Sequence, residues 1–289
     1  MAPGPRIDRR LDGAVFVVTG ANGGVGREVS RDLAAAGATV VMICRSPSRA
    51  AEAQADILRT APSAQLELEI ADLGERADID RAAKRLLERH RTLRGLVNNA
   101  AIWTSSRQTN TEGLELTFAT NVLAYHQLAA LLLPALIASP SARIVNVASR
   151  LAFGLDLDDV GFERHPFDGR SAYARSKQAD RMLTWALADR LPRHVTANAV
   201  HPGTVSTELF ADHPGVVGVL GRLYFKHRGV SAAEGADTPS FLAGSSRVEG
   251  ATNEYWVKRQ TQPCPFRDPR QLMRLLNICE NMTRTTLPT

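Results

Sequence analysis

The sequence predicts an α/β chain: one doubly wound parallel sheet of about seven strands, with helices on both faces. Three observations carry this. Short apolar runs alternate with longer segments of helical spacing, the βαβ rhythm of a parallel sheet. The runs are rich in Val and Ile without polar interruption, as strands buried on both faces require. The chain has 289 residues, 44% of them apolar and 22% charged, which suits one large domain and excludes a disordered chain.

In order, Ala14–Val18 reads as a buried strand and Gly24–Ala36 as a helix, with Val25, Val29 and Leu33 on one face. A strand at Thr39–Ile43, a helix near Arg49–Arg59, a strand at Gln65–Ile70 and a helix near Ile79–His90 follow. Gly95–Val97 reads as a strand leading to a long helix near Thr111–Ala138, and Arg143–Val147 as the next strand. The helix near Ala172–Leu191 precedes a strand at Val195–Val200. The rhythm then stops. A helix near Ala232–Ala243, a short strand at Tyr255–Val257 and a helix near Pro269–Asn281 close a single domain over residues 1–289.

The formal net charge of +5 is modest, and the arginines are scattered rather than clustered on one helix or tail, so no nucleic-acid partner is expected. Cys44, Cys264 and Cys279 are far apart and odd in number, which argues against a disulfide framework or a zinc site. The first residues lack the apolar segment of a signal peptide, and the apolar run Leu128–Ala138 contains Pro134 and is short for a bilayer span. A cytoplasmic location with no integral membrane segment is the expectation. Asp156, Asp158 and Asp159 lack a second group of ligands and read as a solvated acidic loop, so no metal is expected. His165 and His201 read as loop residues.

The first strand runs into Gly20-Ala21-Asn22-Gly23-Gly24-Val25-Gly26. Gly20 can make a tight turn, Gly24 can let backbone approach a pyrophosphate, and Gly26 can let the helix pack on the strand. The helix N-terminus then presents free N–H groups and a positive dipole end. A Gly-rich turn without a ligand is the alternative. At the end of the second strand no acid lies between Val40 and Ala50, whereas Arg45 and Arg49 do. A carboxylate there would serve a ribose 2′-hydroxyl and an arginine a 2′-phosphate, so NADP(H) is the expected cofactor, against a merely solvated Arg45. Asp72, before Leu73, could accept from an adenine amino group or cap the next helix.

Tyr173 and Lys177, four residues apart, share a helical face. A phenol needs its pKa lowered by about 3 units, roughly 4 kcal/mol, to exchange protons at neutral pH. A nearby ammonium together with a cationic nicotinamide favours the phenolate. Ser149 follows a strand at the edge where ligands bind in parallel sheets; it could bond a carbonyl or alcohol oxygen, or be a loop or capping serine. Asn98 and Asn99 follow another strand at that edge, and Asn121 lies mid-helix, where asparagine has poor propensity.

Thr19-Gly20-x-x-x-Gly24-x-Gly26, Asn98-Asn99-Ala100, Asn121, Ser149, Tyr173-x-x-x-Lys177 and His201-Pro202-Gly203 together resemble the short-chain dehydrogenase/reductase superfamily, over roughly Gly13 to Val257. Ile43-Cys44-Arg45, Arg143–Val147, His201–Leu209 and the long gap from Ser149 to Tyr173 resemble its retinol-dehydrogenase-like branch. Ala101 and Ala148 depart from a usual glycine and a usual first serine, with Ser149 intact. The resemblance implies an oxidoreductase on a Rossmann-type sheet that interconverts a carbonyl and an alcohol. It implies Tyr173 as general acid/base, Lys177 on the nicotinamide ribose, Ser149 orienting the substrate oxygen and Asn121 holding a water. Asn99 and Ala100 would line the cofactor cleft, and Pro202, Gly203, Val205 and Thr207 would surround the carboxamide.

Residues 206–229 contain Leu209, Phe210, Val216, Val217, Val219, Leu220, Leu223, Tyr224 and Phe225, and read as a substrate lid. An apolar, fairly bulky substrate is the corollary. An oligomer contact, a membrane-surface patch and simple core are the other readings of this segment. Trp103 and Leu151 follow edge strands and could touch substrate or simply pack. A homodimer or homotetramer is compatible with the sequence. A catalytically silent NADP-binding regulator, a scaffold, or an enzyme reducing a conjugated double bond are the rival functions.

Overall fold

A computed structural model describes residues 4–204 and 230–287. Eight strands form one sheet in the order β3-β2-β1-β4-β5-β6-β7-β8. These are β1 Val15–Thr19, β2 Thr39–Cys44, β3 Gln65–Ile70, β4 Gly95–Asn98, β5 Ala142–Val147, β6 Val195–His201, β7 Tyr255–Val257 and β8 Gln260–Gln262. All neighbours are parallel except β7 and β8. Helices α1 Gly24–Ala35, α2 Pro47–Thr60, α3 Arg76–Arg89, α4 Leu116–Ile137, α5 Gly169–Ala188, α6 Ala232–Gly244 and α7 Pro269–Thr283 cover it.

The two faces are separate apolar layers. Val17, Val41, Leu96 and Ile144 point to α3, α4, α5 and α7. Their neighbours Phe16, Val18, Val40, Met42, Val97 and Val145 point to α1, α2 and α6. This period of two explains why the strands read as unbroken apolar runs: both faces are buried. Strands β4, β5 and β6 are buried throughout. Helix α4 is long and apolar enough to cross a bilayer by length and composition, but 83% of its most apolar stretch is buried inside the fold.

Most expected elements appear within a few residues of their expected ends. Three differ for physical reasons. Helix α4 starts at Leu116, not near Thr111, because Asn110 accepts through Oδ1 from the N–H groups of Glu112 and Leu114, and Glu115 caps the helix by accepting from Thr117 and Phe118. Helix α5 starts at Gly169 because Asp168 accepts from the Ser171 N–H as its N-cap. Strand β8, absent from the sequence expectation, turns back from β7 through Lys258 and Arg259 at φ of 51° and 58°. Its all-polar, exposed sequence Gln-Thr-Gln carries no apolar period.

Strands β2 and β3 lie on one side of β1 and β4 on the other, so the strand order reverses between β1 and β4. Loops from these strands therefore diverge, and a crevice opens at the carboxyl ends of the strands. Gly20 stands there at φ 62° and Gly24 at φ 52°. A Cβ on Gly26 would come within 2.4 Å of the Gly20 carbonyl oxygen and 2.5 Å of Asn99 Nδ2. Gly26→Ala is therefore expected to cost about 1–3 kcal/mol through overpacking against backbone. A shift of the urea midpoint measures it; an unchanged midpoint would show that the turn can relax.

Candidate active site

A cleft of about 860 Å³ follows the strand ends from Arg45, Ser46 and Asp72 to Ser149, Tyr173 and Lys177. Gly20, Asn22, Gly23, Gly24, Val25, Leu73, Asn99, Ala100, Pro202 and Gly203 also line it. The structure thus brings together nearly all the candidate cofactor positions. Gly26 lies behind the turn, as its contacts with Gly20 and Asn99 show. Val205, Thr207 and the lid positions from Leu209 to Phe225 lie outside the described residues.

The residues suit a dinucleotide. No side chain caps the N-terminus of α1, and Gly23 and Gly24 at that end line the cleft. Gly23 is extended, and an added Cβ there would meet nothing within 4 Å. The exposed Arg45 closes the far end. Asp72 is the sole acid among the described residues lining the cleft. It is not the cap of α3: Glu75 occupies the N-cap position, and Asp72 Oδ1 instead accepts from the Gly74 N–H at 2.9 Å.

The turn is tied to the neighbouring strand. Thr19 Oγ1 accepts from the N–H groups of Asn99 at 2.8 Å and Ala100 at 2.9 Å. Asn99 Nδ2 donates to the Thr19 carbonyl at 2.9 Å. Asn98 does not line the cleft. It is the last residue of β4, buried, and donates to Asn146 Oδ1 at 2.9 Å.

At the other end, Tyr173 and Lys177 share a face of α5. Lys177 is buried, and its Nζ donates to the Val147 carbonyl at 3.0 Å and to Asp180 Oδ2 at 2.7 Å. It stands 5.8 Å from the centre of the Tyr173 ring. The Tyr173 ring stacks on Trp103, 4.9 Å between centroids at 21°. Gly169 permits this: a Cβ there would lie 2.0 Å from the Thr104 carbonyl oxygen and 3.0 Å from Trp103 Nε1. Burial raises the phenol above its ordinary pKa; the Lys177 ammonium and a hydrogen bond with Ser149 pull it back only in part. The chain's own charges alone therefore leave the phenol above its ordinary value. Ser149 Oγ also accepts from the Leu151 N–H at 3.1 Å.

Asn121 sits in a one-turn π-helical segment, Ala119–Leu123, inside α4. Wide turns of this kind are frequent at functional sites. The amide is fully buried; Oδ1 accepts from the Ile102 N–H at 2.8 Å, while Nδ2 donates to the Ile102 carbonyl at 3.1 Å and to Ser176 Oγ at 2.9 Å. It thus fastens α4 to α5 and to the segment carrying Trp103.

Ile102, Trp103 and Leu151 also line the cleft, together with Arg150 and Arg170. The two arginines carried no pattern signal in a sequence rich in scattered arginine. Two expectations need correction. His201 is not a loop residue: it ends β6, lines the cleft and is buried. Asp159 is not solvated either. It is buried and accepts from the N–H groups of Glu163, Arg164 and His165 and pairs with the His165 ring at 2.9 Å, organising the loop before α5. Its carboxyl lies at about 2, the hydrogen bonds outweighing burial. Asp158, exposed, pairs with Arg274.

Residues 14–214 match the family model of the short chain dehydrogenases. Human "Dehydrogenase/reductase SDR family member 12" is 33% identical over 83% of this chain and 74% of its own length. Mouse "Retinol dehydrogenase 13" is 30% identical over 92% of this chain and 82% of its own. The crystal structure of an uncharacterised Mycobacterium paratuberculosis protein superposes with a TM-score of 0.76 at 26% identity, over 97% of each chain. The chain belongs to the short-chain dehydrogenase/reductase family of oxidoreductases, in its retinol-dehydrogenase-like branch.

Burial, then the charges of Arg150 and Arg181, push His201 down from 6.5 to about 4. The folded chain thus binds this proton less readily than the unfolded chain. The stability it contributes is full above pH 6.5 and is lost as pH falls through about 4. The urea midpoint is expected to fall across that window, and His201→Asn to flatten the fall. An equal slope in the variant would assign the loss to other groups.

Proposed function

We propose that the chain is an NADP(H)-dependent oxidoreductase that interconverts a carbonyl and an alcohol on an apolar, fairly bulky substrate, with Tyr173 as general acid/base. The observation that carries this reading is the convergence of Tyr173, Ser149 and Lys177 on one end of a cleft whose other end is Arg45. When bound, the nicotinamide supplies or accepts a hydride. In reduction Tyr173 donates its phenolic proton to the substrate oxygen as charge develops there, and in oxidation it accepts the alcohol proton. Ser149 donates to the same oxygen and orients it. Lys177 would hold the nicotinamide ribose, and its ammonium favours the phenolate.

Gly20, Gly23 and Gly24 would cradle the pyrophosphate and Arg45 the 2′-phosphate. Asp72, Leu73, Asn99 and Ala100 would line the rest of the cofactor cleft, with Pro202 and Gly203 beside the carboxamide. Ile102, Trp103 and Leu151 would receive the apolar body of the substrate, and Arg150 and Arg170 at the same end suit a polar tail. The relatives named as retinol dehydrogenases support an apolar substrate class. Three free thiols, two of them buried, support a reducing compartment, and a cytoplasmic location is part of the proposal.

Tyr173→Phe is expected to lower turnover on a panel of ketones, aldehydes and secondary alcohols by about 10²–10⁴ while NADPH still binds. Near-normal turnover would remove Tyr173 from the mechanism. Arg45→Ala is expected to lower the ratio of NADP to NAD efficiency by about 10- to 100-fold, the worth of one charge-assisted bond. An unchanged ratio would sink the NADP assignment.

A further inference from the structure

Helix α5 carries a third ionisable group beyond Tyr173 and Lys177. Asp180 lies three residues after Lys177 and therefore on the same face. Its carboxylate is fully buried, and the lysine side chain beside it is 2% exposed. One oxygen, Oδ2, accepts from Lys177 Nζ at 2.7 Å; the other, Oδ1, is buried with no hydrogen-bond partner.

We propose that Asp180 is a positioning residue, the buried counter-ion that holds Lys177 protonated and aimed at the Val147 carbonyl. The proposal rests on the reading of Tyr173 and Lys177 as the proton-handling pair. An ammonium out of water loses its charge unless an anion faces it. The other partners of Lys177 among the described residues are neutral: the Val147 carbonyl, the Tyr125 ring at 5.3 Å and the Tyr173 ring at 5.8 Å.

The surroundings support one assignment of charge. Helix α4 contributes Tyr125, whose phenol burial pushes far up, so it stays neutral. Helix α7 contributes Cys279, buried and also pushed far up, hence a thiol. Arg181, next along α5, is the remaining cation. It donates instead to the Ser149 carbonyl and to the Tyr255 hydroxyl, and its guanidinium stacks 3.8 Å from the centre of the Tyr255 ring. Burial raises the Asp180 carboxyl against the attraction of Lys177, while Lys177 stays above its ordinary value despite burial. Without the carboxylate, two cations would be left on adjacent residues with no anion between them, and Lys177 is the one able to lose its proton. A neutral amine would no longer draw Tyr173 toward phenolate, nor grip a ribose hydroxyl as strongly.

Two measurements test this, one of them independent of catalysis. Melting temperatures would be compared for the full chain, Lys177→Met, Asp180→Leu and the double variant. Each single change leaves one buried charge without its partner, so the double variant is expected to melt above at least one of the singles. Additive losses would overturn the ion pair. If Asp180→Leu does not fold, Lys177→Met against the double variant still decides the matter.

The second measurement is NADPH affinity of Asp180→Asn by fluorescence titration from pH 6 to 9. Relative to the wild type it is expected to weaken by roughly tenfold toward the alkaline end, as Lys177 deprotonates. Parallel pH dependence in the two proteins would overturn the proposal. Failure of the Tyr173 assignment would appear separately, as turnover retained in Tyr173→Phe, and would leave the melting comparison intact.

Discussion

The close approach of Gly20, Gly26 and Asn99 is the contact on which the rest of the cleft depends. A parallel sheet leaves the carboxyl ends of β1 and β4 pointing into a crevice with no covalent tie between them. Thr19, Gly20, Asn99 and Ala100 supply that tie through hydrogen bonds, and Gly26 leaves the space they need. The polypeptide that turns after β1 and the polypeptide that leaves β4 are thereby held as one unit. The first leads into helix α1; the second runs on to Ile102 and to Trp103, which stacks on the Tyr173 ring. The glycine turn and the Tyr173 end of the cleft are therefore joined mechanically, not merely adjacent.

The same economy governs the chemical end. Asn121 and Lys177 both spend most of their polar capacity on the fold. The Asn121 amide bonds Ile102 on both sides and reaches Ser176; the Lys177 ammonium bonds a strand carbonyl and a buried carboxylate. Groups tied in this way are held in one orientation. Such preorganisation matters because a donor aimed in advance needs no reorganisation when charge develops. Trp103 does the corresponding work for Tyr173 by stacking, with Gly169 providing the clearance.

Much of this was legible in the sequence. Strand runs, the glycine turn, the Tyr173–Lys177 spacing and the poor helix propensity of Asn121 are local signals, and local geometry reads them out. What was not legible depends on neighbours far along the chain. His201 reads as a loop residue until β6 is seen to extend to it between β5 and β7. Asp159 reads as one of a run of solvated acids until three successive N–H groups fold over it. Asp180 has no motif value at all; only burial beside Lys177 gives it one.

The sequence by itself determined the sheet class, the element order and the family, because periodicity, backbone-permissive glycines and a joint set of spaced polar residues are written in one dimension. It also marked Ser149, Tyr173, Lys177 and the glycine turn for the strand edge, but not His201, Arg150 or Arg170. Only the tertiary structure decided how they are charged and held: that Tyr173 is stacked and its phenol raised, that Lys177 is buried with a counter-ion, and that Asn121 is a fastening. Desolvation and ion pairing depend on what surrounds a group in three dimensions, and no spacing along the chain encodes that.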